Sequence, residues 1–179
     1  MTRWNITRID SGTYLVALPA RIVASEKGWE VPAGSAPLGN TEPVTGATVT
    51  QVRDTVAALA WSTIQKGALP VPADQVAAVR LFSTVVTDHP RTGDMSGPVI
   101  QVPALADRSQ TWWVATEEEA GVLAGHGQSG KTVHEAAAKL VEGLMLELEV
   151  NPQGVPENWS GIQLQLTSRK TYPVDVLAA

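Results

Sequence analysis

The chain has 179 residues, 44% of them hydrophobic, and a formal net charge of −5, which suits one medium domain or two small ones. The acidic balance, with no lysine or arginine run, excludes a dedicated nucleic-acid binder of the usual basic kind, and the absence of cysteine removes disulfides and thiolate metal sites. Met1-Thr2-Arg3-Trp4-Asn5 lacks the apolar core of a signal peptide, and no stretch approaches the ~20 apolar residues that span a bilayer. The expectation is a cytoplasmic protein without membrane contact.

The first half opens with a strand over Trp4–Ile9, imperfectly alternating. Asp10-Ser11-Gly12 has turn chemistry, because Asp and Gly tolerate the required dihedrals. Thr13-Tyr14-Leu15-Val16-Ala17-Leu18 reads as a buried strand. Residues 19–46 are rich in Pro and Gly and read as a long loop, with room for short strands at Arg21-Ile22-Val23 and Trp29-Glu30-Val31. Thr48 opens a helix as N-cap, with Gln51 three residues on to complete a capping box. Val49, Val52, Val56, Leu59 and Ala60 recur at helical spacing and form its apolar stripe. Gly67 and Pro70 end it, and a strand through Val79, Leu81, Ser83 and Val85 closes the half.

The second half follows the same plan. Val99–Val102 is a strand, Asp107-Arg108-Ser109-Gln110 a turn, and Thr111-Trp112-Trp113-Val114-Ala115 a second strand. Thr132 caps a helix with Glu135 closing the box, and Val133, Ala137, Leu140, Leu144 and Leu148 form its stripe. Asn151-Pro152 stops it, Val155-Pro156 echoes Val71-Pro72, and Ile162–Leu166 alternates as a closing strand. The helix caps repeat at a spacing of 84 (48 to 132), as do the Val-Pro turns (71 to 155). Aligning Thr13–Ala17 with Thr111–Ala115 gives 98 instead, which assigns 14 extra residues to the first half's 19–46 loop. The expected fold is α+β: two tandem copies of a β-β-(β)-α-β unit, each an antiparallel-rich sheet with one helix packed on it. The units cover 1–86 and 98–168, with a linker at 87–97 and a C-terminal tail at 169–179. An internal duplication often stands in for a homodimer, and a homo-oligomer also stays open.

The run Trp112-Trp113-Val114-Ala115, Glu119-Ala120-Gly121-Val122 and Gly130-Lys131-Thr132-Val133-His134-Glu135-Ala136-Ala137 resembles the HicB-like antitoxin family. In the first half, Val52-Arg53-Asp54, Ala58-Leu59 and Val71-Pro72-Ala73-Asp74 look like the actinobacterial branch of that family. The resemblance implies a sheet with one helix packed on it, and a protein that neutralises a small RNA-cleaving toxin by masking its surface. Many members add a DNA-binding segment. This chain departs from the pattern: it carries two copies, Glu117-Glu118-Glu119-Ala120-Gly121 replaces the usual Pro-x-Leu-Pro-Gly loop, and only thirteen residues follow Leu166. That is too short for a helix-turn-helix, so no direct DNA binding is expected.

Residues 125–132, Gly-His-Gly-Gln-Ser-Gly-Lys-Thr, match the phosphate-binding loop G-x-x-x-x-G-K-[ST] completely. In that reading Gly125 and Gly130 shape the loop, Lys131 reaches the terminal phosphates and Thr132 binds Mg²⁺. Against it, only 47 residues follow the motif, no strand ending in a metal-binding Asp comes after it, and the matching position in the first half reads Thr45-Gly46-Ala47-Thr48. The shared Gly-x-Thr is what a helix start needs. His89, His126 and His134 read as surface histidines, with a His126–His134–carboxylate metal site as the sharper alternative. Ser129 fails the nucleophile-elbow spacing. Glu117–Glu119, with Glu142, Glu147 and Glu149, read as a solvated face or as an acidic mask over a basic partner. Most of the six Trp read as core fillers, with one or two as partner anchors. No catalytic or metal residue, and no cofactor, is assigned. The expected function is a non-catalytic, antitoxin-like protein-binding module whose partner is a small basic protein such as an RNA-cleaving toxin. The alternatives are a structural or assembly protein of a phage or mobile element, and a nucleotide-binding protein using residues 125–132.

Overall fold

The computed structural model describes residues 3–10, 12–88, 97–108 and 110–179, side chains excepted at 87 and 88. In chain order the elements are β1 (Asn5–Arg8), β2 (Tyr14–Ser25), β3 (Gly28–Val31), β4 (Val44–Gly46), α1 (Val49–Gln65), β5 (Val76–Asp88), β6 (Val99–Arg108), β7 (Trp112–Thr116), β8 (Gly127–Gly130), α2 (Val133–Val150), β9 (Gly161–Pro173) and α3 (Val174–Leu177). The fold is mixed α+β. The chain divides into two compact units, one of residues 1–84 with 169–179, the other of residues 85–168. Arg169–Ala179, expected as a tail, therefore belong to the first unit. Most of the expected linker, including His89, lies outside the described residues, as do Ser11 and Ser109 in the two expected turns.

In the first unit the strand order is β4-β3-β2-β5, followed by the end of β9, with β1 paired antiparallel to β2. The β1–β2 turn forms as its chemistry requires: the Asp10 carboxylate accepts from the Gly12 and Thr13 amides at 3.2 and 3.1 Å. Helix α1 packs on β2, β3 and β4. In the second unit the order is β8-β7-β6-β9. Here β6 and β9 run parallel, with Val99 opposite Gly161 and Ala106 opposite Ser168, and β7 is antiparallel to both β6 and β8. Helix α2 packs on β7 and β8. A parallel first-to-last pairing demands a crossover, and the helix supplies it.

The loop expected over 19–46 is much shorter, because β2 runs on to Ser25 and turns into β3, leaving 32–43 as the connection to β4. Proline was the misleading signal. Pro19 falls between the β1 register, which ends at Ala17, and the β3 register, which begins at Val23, where its missing N–H costs neither ladder a bond. With Pro19 inside the strand, Val16, Leu18, Ala20 and Ile22 alternate inward and are buried. Alignment of Thr13–Ala17 with Thr111–Ala115 also fails: Tyr14–Ala17 pair with the leading strand β1, whereas Trp112–Ala115 lie in β7 between β6 and β8.

Both helices begin and end where the caps and stops place them. Their buried faces differ in detail from the expected stripes. In α1 the buried residues are Val52, Arg53, Val56, Ala57, Ala60, Trp61 and Ile64; Leu59 is 39% exposed and Val49 half-buried. In α2 they are Ala136, Ala137, Leu140, Val141, Leu144, Met145 and Leu148, with Val133 half-buried. Each buried position of α1 is matched by one of α2 at a spacing of 84, as from 52 to 136. A helix on a sheet buries a broad stripe, so the residues flanking the expected positions go inward too. Among the tryptophans only Trp61 is buried, and Trp113 is 53% exposed.

Candidate functional site at the second helix start

Gly130, Lys131 and Thr132 lie where β8 runs into the first turn of α2, whereas Gly125 lies before β8, at the strand's other end. Gly127–Gly130 is a strand there, in register with β7: Gly127 faces Ala115 and Gly130 faces Trp112. An extended, paired strand does not curl its amides around one centre, which a phosphate cradle requires. Gly125 has positive φ (77°) and serves the turn into β8, a conformation that favours glycine.

Two donors at the helix start, the Lys131 and Glu135 amides, are already engaged. The Thr132 hydroxyl accepts from the Glu135 amide at 3.1 Å, and the Glu135 carboxylate accepts from the Lys131 amide at 2.9 Å and from Lys139 Nζ at 2.9 Å. The bond from the Lys139 ammonium, and after it the Lys131 amide, hold the Glu135 carboxyl below the usual range. A carboxylate thus sits where a bound phosphate would need the same amide. The first helix start is built alike. The Gln51 amide donates to Thr48 Oγ1 at 3.2 Å, and Gln51 Oε1 accepts from the Ala47 amide at 2.9 Å. In both, the back-reaching side chain takes the amide one residue before the cap, a one-residue variant of the capping box.

Glycine has a specific task at both starts. A Cβ on Gly130 would lie 2.6 Å from the Ala136 backbone nitrogen, and one on Gly46 would lie 3.0 Å from Gln51 Cβ and 3.2 Å from the Val52 nitrogen. The strand passes directly under the first helical turn, so closely at Gly130 that a side chain would force the backbone to shift, and closely enough at Gly46 that its neighbours would have to give. The Gly-x-Thr signature is therefore accounted for by packing and capping.

The remaining candidates are scattered. His134 is exposed and His126 half-buried, and no group of three or more His, Cys, Asp or Glu is placed to hold a metal among the described residues. Ser129 lies on β8, where its carbonyl accepts from Lys139 Nζ at 3.3 Å. Glu117–Glu119 occupy the β7–β8 connection and are exposed. That connection is pinned by buried Thr116, whose hydroxyl donates to the Leu123 carbonyl at 2.7 Å and whose amide donates to His126 at 3.0 Å. Glu142 and Glu149 are exposed on α2, beside Leu146 (55% exposed) and Val150 (84%).

Sequence reading missed two features of the first unit. Arg53, only 3% exposed, donates from Nε to Ser83 Oγ at 2.6 Å under α1, and desolvation pulls its guanidinium pKa down. An arginine inside an apolar stripe looks like a helix-surface residue unless the buried serine opposite it is recognised. The second is a groove of about 480 Å³ between the Leu38–Thr45 connection and α1, floored by Val44 and Leu59.

No helix among the described residues is long and apolar enough to cross a membrane. No protein-family model, curated protein or solved structure matches the chain.

Proposed function

We propose that the chain is a duplicated HicB-like module that works without catalysis, by binding and masking a small basic protein such as an RNA-cleaving toxin. The duplication is supported by the 84-residue spacing shared by helix caps, close-approach glycines and buried helix faces. It is supported too by the common strand order, in which the fourth strand of each set lies beside the first (β4-β3-β2-β5 and β8-β7-β6-β9). The same spacing relates Leu18-Pro19-Ala20 to Val102-Pro103-Ala104, so the proposed repeat aligns β2 with β6 in sequence and needs no 14-residue insertion.

The observation that carries the functional reading is the surface chemistry. Exposed carboxylates recur at the β7–β8 connection and on α2, next to exposed apolar side chains at Leu146 and Val150. Carboxylates around apolar contacts suit a cationic protein partner, since charge sets encounter rate and orientation while the apolar contacts hold. The engaged amides of the α2 start weigh against nucleotide binding through residues 125–132. The test is capture from the native host by the tagged chain, followed by stopped-flow association with the captured protein. Association that slows by about tenfold or more from low to high salt supports the reading; a flat salt response counts against it.

A further inference from the structure

We infer that the open edge of β4, together with the groove beside it, receives an extended cationic segment of the partner protein; this rests on the protein-binding reading above. Strand β4 ends the strand order of the first unit and pairs only with β3 among the described residues. An edge strand offers backbone donors and acceptors to an added strand, and strand addition draws its specificity from pockets that take alternate side chains. Such a pocket adjoins β4: the groove floored by Val44 and Leu59, about 480 Å³, open to solvent and large enough for more than one side chain. The rim is acidic. Glu42 lines the groove, while Glu26 and Glu30 line a second depression on the far side of Thr45, against a single ammonium from Lys27. Thr45 of β4 belongs to both depressions, so an added strand alternates its side chains between an apolar floor and a carboxylate rim. Charge complementarity then selects lysine or arginine alternating with aliphatic residues.

The counterpart edge in the second unit is covered by its own side chains. Lys139, which stands 84 residues beyond the groove-lining Thr55, donates from Nζ to the Ser129 carbonyl on β8 at 3.3 Å. Gly143 replaces Leu59, with the Gln128 amide 4.0 Å from where its Cβ would be. The Trp113 ring lies against β8, its nearest atom 2.7 Å from a Cβ built on Gly127. Of these two counterpart edges, β4 and β8, the β4 edge is the receptive one.

The test uses the full chain and a short fluorescein-labelled peptide alternating Lys or Arg with Val. Fluorescence anisotropy is compared with an analogue carrying Glu in place of the cations and with the basic peptide N-methylated at alternate residues. Saturable binding of the basic peptide is expected, with both analogues at least about tenfold weaker. Leu59→Lys, at an exposed position, is expected to weaken binding by at least about tenfold, and Ile9→Lys, at an exposed position just after β1, to leave it unchanged. The inference is overturned by absence of saturable binding to wild type, by equal binding of the acidic or N-methylated peptide, or by a Leu59→Lys variant that binds like wild type. Capture of one basic protein by wild type and Leu59→Lys alike removes this site and leaves the protein-binding reading standing. Failure of wild type to hold any basic protein removes both.

Discussion

Single residues at the helix starts carry the strongest constraints. Gly130→Ala forces a Cβ against the Ala136 amide, a backbone atom held by the helix, so relief requires the strand or helix to move. The expected cost is about 1–3 kcal/mol in urea unfolding, larger than for Gly46→Ala, where the nearest atom belongs to a side chain. Gly143→Ala inside α2, where a Cβ would meet only the Gln128 side chain at an ordinary 4.0 Å, is expected to stabilise by roughly 0.5–1 kcal/mol. If all three substitutions behave alike, close approach is not why glycine stands at 46 and 130. The Arg53–Ser83 bond makes a second demand: Ser83→Ala leaves a buried guanidinium with one partner fewer, and a loss of about 1–3 kcal/mol is expected. Glu135 links the second helix start to pH. Its carboxyl is held low in the folded chain, so its contribution is present above the ordinary glutamate pKa and fades as pH falls through the lowered value. Glu135→Gln should flatten the acid limb of the stability profile by a small amount, because the group is exposed and solvent screens it.

At the level of elements, sequence and structure agree most closely where a local rule decides. Thr48 and Thr132 cap, Gln51 and Glu135 reach back, and both helices stop near their Gly and Asn-Pro signals, since capping depends on a few adjacent residues. The strands were harder to read. β2 reads as shorter because proline usually breaks strands, whereas Pro19 falls outside both the β1 and the β3 registers. β8 was invisible: Gly-Gln-Ser-Gly has no apolar alternation, and it is a strand only because β7 pairs with it and Trp113 covers it. Of the site, the caps were legible, whereas the groove depends on where the 32–43 connection passes over α1, which no local pattern encodes. The ending Arg169–Ala179 was likewise unreadable, because its anchors are distant in sequence. Tyr172 donates to Asp54 at 2.9 Å, and Lys170 Nζ lies 3.3 Å from the same carboxylate and 4.8 Å from the Tyr172 ring centroid. Burial and the bond to Asp54 push the phenol pKa up. Tyr172→Phe is expected to lose about 0.5–1.5 kcal/mol, whereas an unchanged midpoint in urea would assign the clasp no energetic role.

For the whole molecule, the account reduces to a choice between two uses of one segment. As a phosphate loop, residues 125–132 would make the chain an NTP-binding protein. As a strand feeding a capped helix, they fit the proposal of a duplicated scaffold that acts by binding a partner on its surface. The two views part most clearly over the partner. The decisive measurement is affinity capture by the tagged chain from its native host, with the association rate of the captured protein then followed across salt concentrations. The account predicts one small basic protein, bound in fixed stoichiometry, associating at least about tenfold more slowly at high salt. A chain that holds no such protein yet binds ATP or GTP, and loses that binding in Lys131→Ala, would contradict it.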